Sequence, residues 1–357
     1  MNKKTSHYIN QLLDESELFQ SNKTTNDSTE IFDFSEETLL ITGAAGSIGS
    51  GLVRQLLRCN YKKIILVDNA ESPSYYLITE LELDSTPHLE CFLTDIRDEP
   101  SMQKLFETFN PTIVFHTAAY KHVPMMEIHP YEAIKLNILA TKTLADLAIK
   151  HHTKKFIFIS TDKAVAPIGV MGMTKYIAEC YLKNLNTQNK TRFSITRFGN
   201  ILGSNGSVAP LFIKQIKSGT PLTITNKNIS RYFITKNKAC HLILKVATFE
   251  KPIHSIFTFD MGQPIKILDL AKTILARFKG IDGAVKIIET TNLRPGEKLH
   301  EDLLSKQERL EATAYKDIFS VINTAKANQK LVDFGTLQNI TPYQKPSEIK
   351  SILKSLL

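Results

Sequence analysis

The order of apolar and polar positions changes character at residue 38. From there, short apolar runs suited to strands recur at 39–42, 64–68, 89–93, 112–116, 156–160 and 194–198. Stretches of helical period separate them, at 47–58, 72–83, 101–109, 131–150 and 170–185. Strands that are apolar throughout, alternating with helices, predict a parallel sheet covered on both faces. Right-handed crossovers make this a Rossmann-type doubly wound α/β sheet, with ligands at the carboxyl ends of its strands. Past residue 200 the alternation loosens. A helix at 208–217, short strands at 222–225 and 255–259, and helices at 237–249 and 267–278 predict a smaller mixed α/β substrate lobe.

The chain thus divides into an N-terminal extension at 1–36, a Rossmann domain at 37–200 and a lobe with a C-terminal segment at 201–357. Segments near 230–262 are expected to return to the Rossmann domain. The extension is polar, and Ser/Thr/Asn-rich in its second half. Tyr8, Leu12 and Leu13 line one face of a short helix in it, suited to packing on a neighbouring subunit.

Composition narrows the function classes. Apolar content of 42% and charged content of 22% are ordinary for a globular chain. The net charge of +8 is scattered, with no block of five like charges and no tryptophan, so no nucleic-acid footprint is read; an anionic ligand suits it. Four separated cysteines form no CxxC pair, and the ten histidines show no ligand spacing, so reduced thiols and no metal are expected. The N-terminus lacks an apolar signal region and no eighteen apolar residues run together, which predicts a cytoplasmic protein without a membrane span.

The run Thr42-Gly43-Ala44-Ala45-Gly46-Ser47-Ile48-Gly49 follows the first strand and opens the first helix. Gly43 permits a tight turn, Gly46 lets backbone approach a pyrophosphate, and Gly49 permits close helix–strand packing. The amides that open the helix, at Ser47 and Ile48, face the phosphates with a favourable dipole. Asp68, followed by Asn69, ends the second strand, where a carboxylate accepts from a ribose 2′-hydroxyl and repels a 2′-phosphate. NAD is therefore preferred to NADP, with a helix N-cap as the alternative role for Asp68. Asp95 and Ile96 follow the third strand on the expected adenine side, where a helix cap competes for Asp95.

The glycine spacing, Ala118-Ala119 after the fourth strand and Asn137 in the fourth helix resemble the extended short-chain dehydrogenase/reductases, over about residues 37 to 305. Four segments narrow the likeness. They are Ala118-Ala119-Tyr120-Lys121-His122-Val123-Pro124, Ser160-Thr161-Asp162-Lys163, the stretch from Arg197 to Ser207, and Arg294-Pro295-Gly296-Glu297-Lys298. In that order they resemble the UDP-N-acetylglucosamine 4,6-dehydratases of polysaccharide biosynthesis.

The resemblance implies bound NAD, with Tyr120, Asn137 and Lys175 also at the cofactor, and UDP-N-acetylglucosamine as substrate. It implies that Asp162 protonates the departing 6-hydroxyl and that Lys163 takes the C5 proton. Lys175 would hold the nicotinamide ribose. Lys121, His122, Asn200, Arg231, Arg294 and Glu297 would contact the UDP-sugar, and the helices at 131–150 and 170–185 would pack a homo-oligomer. The family's usual proton-transfer tyrosine is replaced by Met171, a feature of the branch that retains configuration at C5. Thr161, a water, or Asp162 acting twice are then the candidates for the O4 proton. A C5-inverting dehydratase, a C4 epimerase and a non-catalytic NAD-binding scaffold are the alternatives; retention of Asp162, Lys163 and Lys175 disfavours the last.

Overall fold

The computed structural model describes residues 3–19, 30–188, 190–250, 255–278, 286–289, 292–324 and 331–357. Six parallel strands carry the Rossmann core: β1 (Asp33–Thr42), β2 (Asn60–Asp68), β3 (Leu89–Leu93), β4 (Ile113–His116), β5 (Lys155–Ile159) and β6 (Arg192–Arg197). They lie in the order β3-β2-β1-β4-β5-β6. The strand Ile256–Phe259 joins parallel to β6, and Ile318–Asn323 and Glu308–Ala312 extend that edge antiparallel, giving nine strands.

Alternation along each strand sends neighbours to opposite faces. Leu39, Ile41, Phe115 and Ile157 pack toward the helices Ser47–Leu56 and Lys236–Thr248. Leu40, Val114, Phe156 and Phe158 pack toward Glu99–Phe109, Thr141–Lys150 and Val170–Leu185. Both sheet faces are thus buried, as the unbroken apolar runs require. Strand order reverses between β1 and β4, which opens a crevice at their carboxyl ends.

The region where one helix is expected, 131–150, holds two α-helical pieces, Pro130–Ile134 and Thr141–Lys150, joined by the π-helical segment Lys135–Ala140. The wider turn contains Asn137, which is fully buried. Its amide nitrogen donates to the Tyr120 carbonyl at 3.0 Å and to Thr174 Oγ1 at 3.1 Å, while its oxygen accepts from Tyr120 N. These bonds bind the loop after β4 to two helices, and a π turn at such a site is a familiar association.

The lobe has its own core around Phe212, Ile216, Leu222, Ile265 and Ile274. The N-terminal helix Lys3–Asp14 completes that core with Ile9, Leu12 and Leu13, and Tyr8 donates to the Met261 carbonyl. The helix therefore packs on its own lobe, not on a neighbour, because the lobe helices leave an apolar groove that it fills. The Ser/Thr/Asn-rich part of the extension at 20–29 lies outside the described residues. At the other end, Ile349 and Leu353 of the helix Pro346–Ser355 pack with Val170, Met173 and Ile177. This chain's own C-terminal helix thus covers part of the apolar surface of Val170–Leu185. No described helix is long and apolar enough to cross a membrane.

Candidate functional site

Two loops close the crevice between β1 and β4. Gly43 sits at φ +69°, and a Cβ there would fall 2.6 Å from Ala118 N. At Gly49 a Cβ would fall 2.1 Å from the Gly43 carbonyl oxygen. Only glycine lets the loop, the first helix and the β4 loop meet this closely. Gly46 is exposed at the mouth, Ser47 and Ile48 follow at the helix start, and Asn205 N donates to Ser47 Oγ at 3.0 Å. The Asp68 carboxylate accepts from Ala45 N and Ala70 N, both at 2.9 Å. It does not cap the next helix, whose N-cap is Ala70. Asp95 is no helix cap either. Arg97 grips it with a bidentate pair, closest contact 2.6 Å, and Asn69 donates to it at 3.1 Å. Those bonds hold its carboxyl down at about 2. Ile96 is buried beside it. Among the described residues no side-chain group is arranged to hold a metal ion.

The second half of the site forms at the end of β5. Thr161 caps a short turn, Asp162–Ala164, accepting from Lys163 N at 3.3 Å and donating to Asp162 Oδ1 at 2.9 Å. Lys163 Nζ donates to the same Asp162 oxygen at 2.9 Å and to Asn200 Oδ1 at 3.1 Å. Asp162 is buried, and its Oδ2 has no protein partner among the described residues. This pair is therefore built in, unlike a solvated surface salt bridge.

What fixes the pair lies behind it. Ser160 donates to Glu179, which receives a bidentate grip from Arg197, and Arg197 also binds Glu308 at 2.7 Å. Glu179 and Arg197 are both nearly without exposure, so each supplies the charge that makes burial of the other tolerable. Beneath the turn, a Cβ on Gly172 would fall 2.2 Å from the Lys163 carbonyl oxygen. The helix Val170–Leu185 approaches the Asp162–Lys163 turn so closely because this position has no side chain. Met171 is buried among Met126, Ile134, Ile138 and Ile177, with no proton-transfer function of its own.

Lys175 is also buried, its Nζ 3.8 Å from the centre of the Phe158 ring. Burial lowers its pKa to about 7, while Glu179 one turn on pulls it back upward. Nearby His116 hydrogen-bonds Thr42 Oγ1 at 2.7 Å and Thr141 Oγ1 at 2.9 Å. Thr141 commits its own proton to the Asn137 carbonyl, so Nε2 of His116 must be the donor and Nδ1 the acceptor. Burial, helped by the Lys175 charge, holds this imidazole neutral, with its pKa at about 3.

The residues from the lobe divide. Arg231 is buried and donates to the carbonyls of Ser230, Lys298 and Leu299, so it clamps the loop that carries the Arg-Pro-Gly-Glu-Lys run. Glu297 accepts from Arg294 N at 3.1 Å and closes a turn; no helix begins there. Lys298 reaches Val165 O at 2.9 Å, joining that loop to the β5 turn. Arg294, Lys121 and His122 are exposed, and His122 lies against Gly206. Thr161, Asp162, Lys163, Asn200, Arg231 and Glu297 are thus brought into one connected cluster.

Sequence reasoning missed Glu301, Glu179 and Gly172, and it gave Arg197 no role beyond opening a family-like segment. Glu301 belongs in the cluster, with Oε1 3.8 Å from Lys163 Nζ and 3.9 Å from Arg231 Nε. Gly172 does carry a signal, since a glycine within a helical pattern, here in its first turn, costs about 1 kcal/mol against alanine unless packing requires it. The others are ordinary polar residues until the fold buries them.

Residues 39–323 match the family described as "Polysaccharide biosynthesis protein", and the chain belongs to that family. It is 43% identical over 290 residues to the capsular polysaccharide biosynthesis protein CapD of Staphylococcus aureus, matching 80% of this chain and 48% of CapD. The chain thus spans about half the length of that relative. It is 32% identical over 309 residues to the UDP-N-acetylglucosamine 4,6-dehydratase (inverting) of Campylobacter jejuni, covering 85% of this chain and 87% of the relative. Equal identity, 32% over 295 residues, relates it to the UDP-glucose 4-epimerase of Rickettsia canadensis, covering 81% and 83% of the two chains. Among solved structures, Pen from Bacillus thuringiensis superposes with a TM-score of 0.74 at 28% identity, covering 90% of this chain and 98% of that one.

Proposed function

We propose that this chain is an NAD-dependent UDP-N-acetylglucosamine 4,6-dehydratase that retains configuration at C5. The product would be a UDP-4-keto-6-deoxy-N-acetylhexosamine for surface polysaccharides. The observation that carries the reading is the fixed Asp162–Lys163 pair at the end of β5, combined with Met171 where an epimerase on this scaffold needs a tyrosine. An epimerase has no use for such a pair, whereas elimination of water needs a base at carbon and an acid at oxygen. The C. jejuni relative is a dehydratase by description, which supports the class; an epimerase matches at equal identity, so the choice between the two rests on the Asp162–Lys163 pair together with Met171.

The loop of Gly43, Gly46 and Gly49 suits a pyrophosphate, since it opens the helix Ser47–Leu56 at the crevice and a Cβ at Gly43 or Gly49 would strike backbone and force the loop apart. Asp68 keeps carboxylate lone pairs beyond its two backbone donors, available to a ribose diol, and the residues that follow it, Asn69-Ala70-Glu71, include no arginine to hold a 2′-phosphate. When bound, NAD supplies hydride transfer, out of C4 and back to C6. Ala118 and Ala119 line the crevice, while Asn137 acts through Tyr120. Lys175 holds the nicotinamide ribose, and its ammonium stabilises negative charge at O4.

Lys163 takes the C5 proton, which the neighbouring C4 ketone has made acidic, and returns a proton there later. Asp162 exchanges protons with the sugar oxygens, and its bond from Thr161 gives it a relay toward O4. Asn200 orients Lys163. Arg294, Lys121 and His122, exposed around the opening, reach the diphosphate and sugar, whereas Arg231 and Glu297 shape the loop that does so.

Incubation with UDP-N-acetylglucosamine in deuterated water tests this reading. The product should be lighter by one water and carry deuterium at C5 and its ring coupling should report retention. Unchanged mass with an altered C4 would establish epimerisation. Recovery of untouched substrate would leave a scaffold.

A further inference from the structure

The helix Val170–Leu185 begins without a side chain of its own to close it. Its N-cap is Gly169, which has no side-chain oxygen to accept the first amides. The acceptor comes from another element. Glu127, near the end of the helix Val123–Ile128, takes the Val170 N–H on Oε1 at 2.7 Å. A carboxylate at this end is favoured by the helix dipole as well. Its other oxygen accepts from Lys350 Nζ, on the helix Pro346–Ser355, at 2.7 Å. Only 10% of the Glu127 side chain and 25% of the Lys350 side chain are exposed, so the pair is sheltered. Met126, beside Glu127, is buried with Val170, Ile349 and Leu353, which packs the three helices together.

A fourth segment meets the same carboxylate. A Cβ on Gly296 would fall 2.4 Å from Glu127 Oε1, and one on Gly169 would fall 2.8 Å from the Gly296 carbonyl oxygen. The Arg294–Lys298 run therefore rests directly on the helix start and on Glu127, at a separation that two glycines make possible. Within that run, Glu297 accepts from Arg294 N and returns its own N–H to the Arg294 carbonyl at 3.0 Å. Residues 294–297 thus form a closed turn that moves as a unit. Behind it, Lys298 is tied to the Val165 carbonyl by its ammonium and to Arg231 by its own carbonyl. The seat of Gly296 then settles the angle of the turn, and with it the direction of the exposed Arg294.

Resting on the sugar-nucleotide reading above, we propose that Glu127 is a positioning residue for substrate binding. Its carboxylate seats the Arg294 turn against the start of Val170–Leu185, and Lys350 holds that carboxylate from the C-terminal helix. Arg294 then meets the diphosphate from a fixed direction, and the C-terminal helix becomes a support of substrate affinity. The effect is specific to the sugar nucleotide. Glu127 meets Val170, Gly296 and Lys350, none of them in the Gly43–Gly49 loop that serves NAD.

Three variants of the full chain test this role: Glu127→Ala, Lys350→Met, and Glu127→Gln combined with Lys350→Met. Calorimetric titration with UDP and with NAD gives the affinities, and hydrogen exchange follows the seat itself. Without the seat Arg294 loses a well-aimed charged contact, so Glu127→Ala should weaken UDP binding by about 10- to 10²-fold. NAD should bind within a few-fold of wild type. The KM for UDP-N-acetylglucosamine should rise with the UDP dissociation constant, while kcat stays within a few-fold. Exchange should quicken at 296–298 and 170–173 and stay unchanged in β5. Lys350→Met leaves the carboxylate without its support and should weaken UDP by roughly 2- to 5-fold, the worth of a partly sheltered ion pair. The double variant keeps an amide oxygen for Val170 N and sets no donor against a donor, so it should recover most of what Glu127→Ala loses. Wild-type UDP affinity in Glu127→Ala would overturn the proposal; if that variant does not fold, wild-type affinity in Lys350→Met does so. Equal weakening of UDP and NAD, or no recovery in the double variant, would reduce Glu127 to a stability role. A wild-type chain that binds UDP but releases no water from UDP-N-acetylglucosamine would sink the dehydratase reading and leave this role standing. One that binds no UDP would sink both.

Discussion

Lys175 shows how one burial decision sets a residue's chemistry. Its stem runs through the core, where the face of Phe158 and the carboxylate of Glu179, one turn on, offset the cost of placing an ammonium. The folded protein therefore releases this proton near pH 7, whereas the unfolded chain holds it to about 10.4. Between those values the unfolded state binds more protons, so the group's contribution to stability rises with pH across that window. Lys175→Met removes the effect. In cofactor-free protein, urea unfolding at pH 7, 8 and 9 should find Lys175→Met the more stable. Its advantage should shrink by up to about 1.4 kcal/mol per pH unit. A constant gap would mean that Lys175 titrates as an exposed lysine. The same lowered pKa lets a bound ligand recruit the charged form, which is why a lysine is useful at this position and a permanently charged arginine is not equivalent.

Among the elements, the helix Val170–Leu185 does the most to assemble the site, since it carries Met171, Gly172, Lys175 and Glu179. Replacing an exposed mid-helix glycine with alanine normally stabilises by roughly 0.5–1 kcal/mol. Gly172→Ala should do the reverse. Its methyl group would be driven into the Lys163 carbonyl, and overpacking of this kind costs about 1–3 kcal/mol. Displacing Lys163 by even 1 Å should lower kcat by as much as about 10²-fold. NAD affinity should hold, because the glycine cradle lies elsewhere. Stopped melting curves at unchanged Tm, or wild-type kcat, would contradict this docking. The helix itself is legible from its apolar period over 170–185, as are β1 to β6 from their apolar runs. The π segment at Lys135–Ala140 is not, because Asn137 wins its place through partners on Tyr120 and Thr174, far off in sequence. Nor is the edge strand Glu308–Ala312, whose residues are mostly exposed and show no apolar run, while Glu308 turns inward to meet Arg197.

At the scale of the whole molecule, chain-distant segments converge on one site, and this limits what a linear reading can find. The Asp162–Lys163 pair and the glycine cradle stand out because neighbours in sequence remain neighbours in space. Glu301 is invisible until the lobe folds against β5 and leaves its carboxyl beside Lys163. The position of the lobe is therefore part of the chemistry, and the N-terminal helix contributes to its firmness. Leu13 is fully buried in the lobe core, while Arg277 grips the same helix through Asn10 and Asp14, at 2.7 and 2.8 Å. Truncating a buried leucine costs about 2–5 kcal/mol by lost transfer energy and the cavity left behind. Leu13→Ala should accordingly loosen the lobe before the Rossmann sheet, whose two cores share no residue with it. Hydrogen exchange should rise first in Val208–Lys217 and Ile267–Ala276, with β1, β4 and β5 still protected. The affinity for UDP should fall while that for NAD stays near wild type, because the proposed sugar-nucleotide site relies on the lobe and the glycine cradle does not. Parallel loss of both ligands, with uniform exchange across the sheet, would show instead that lobe and sheet unfold as one unit.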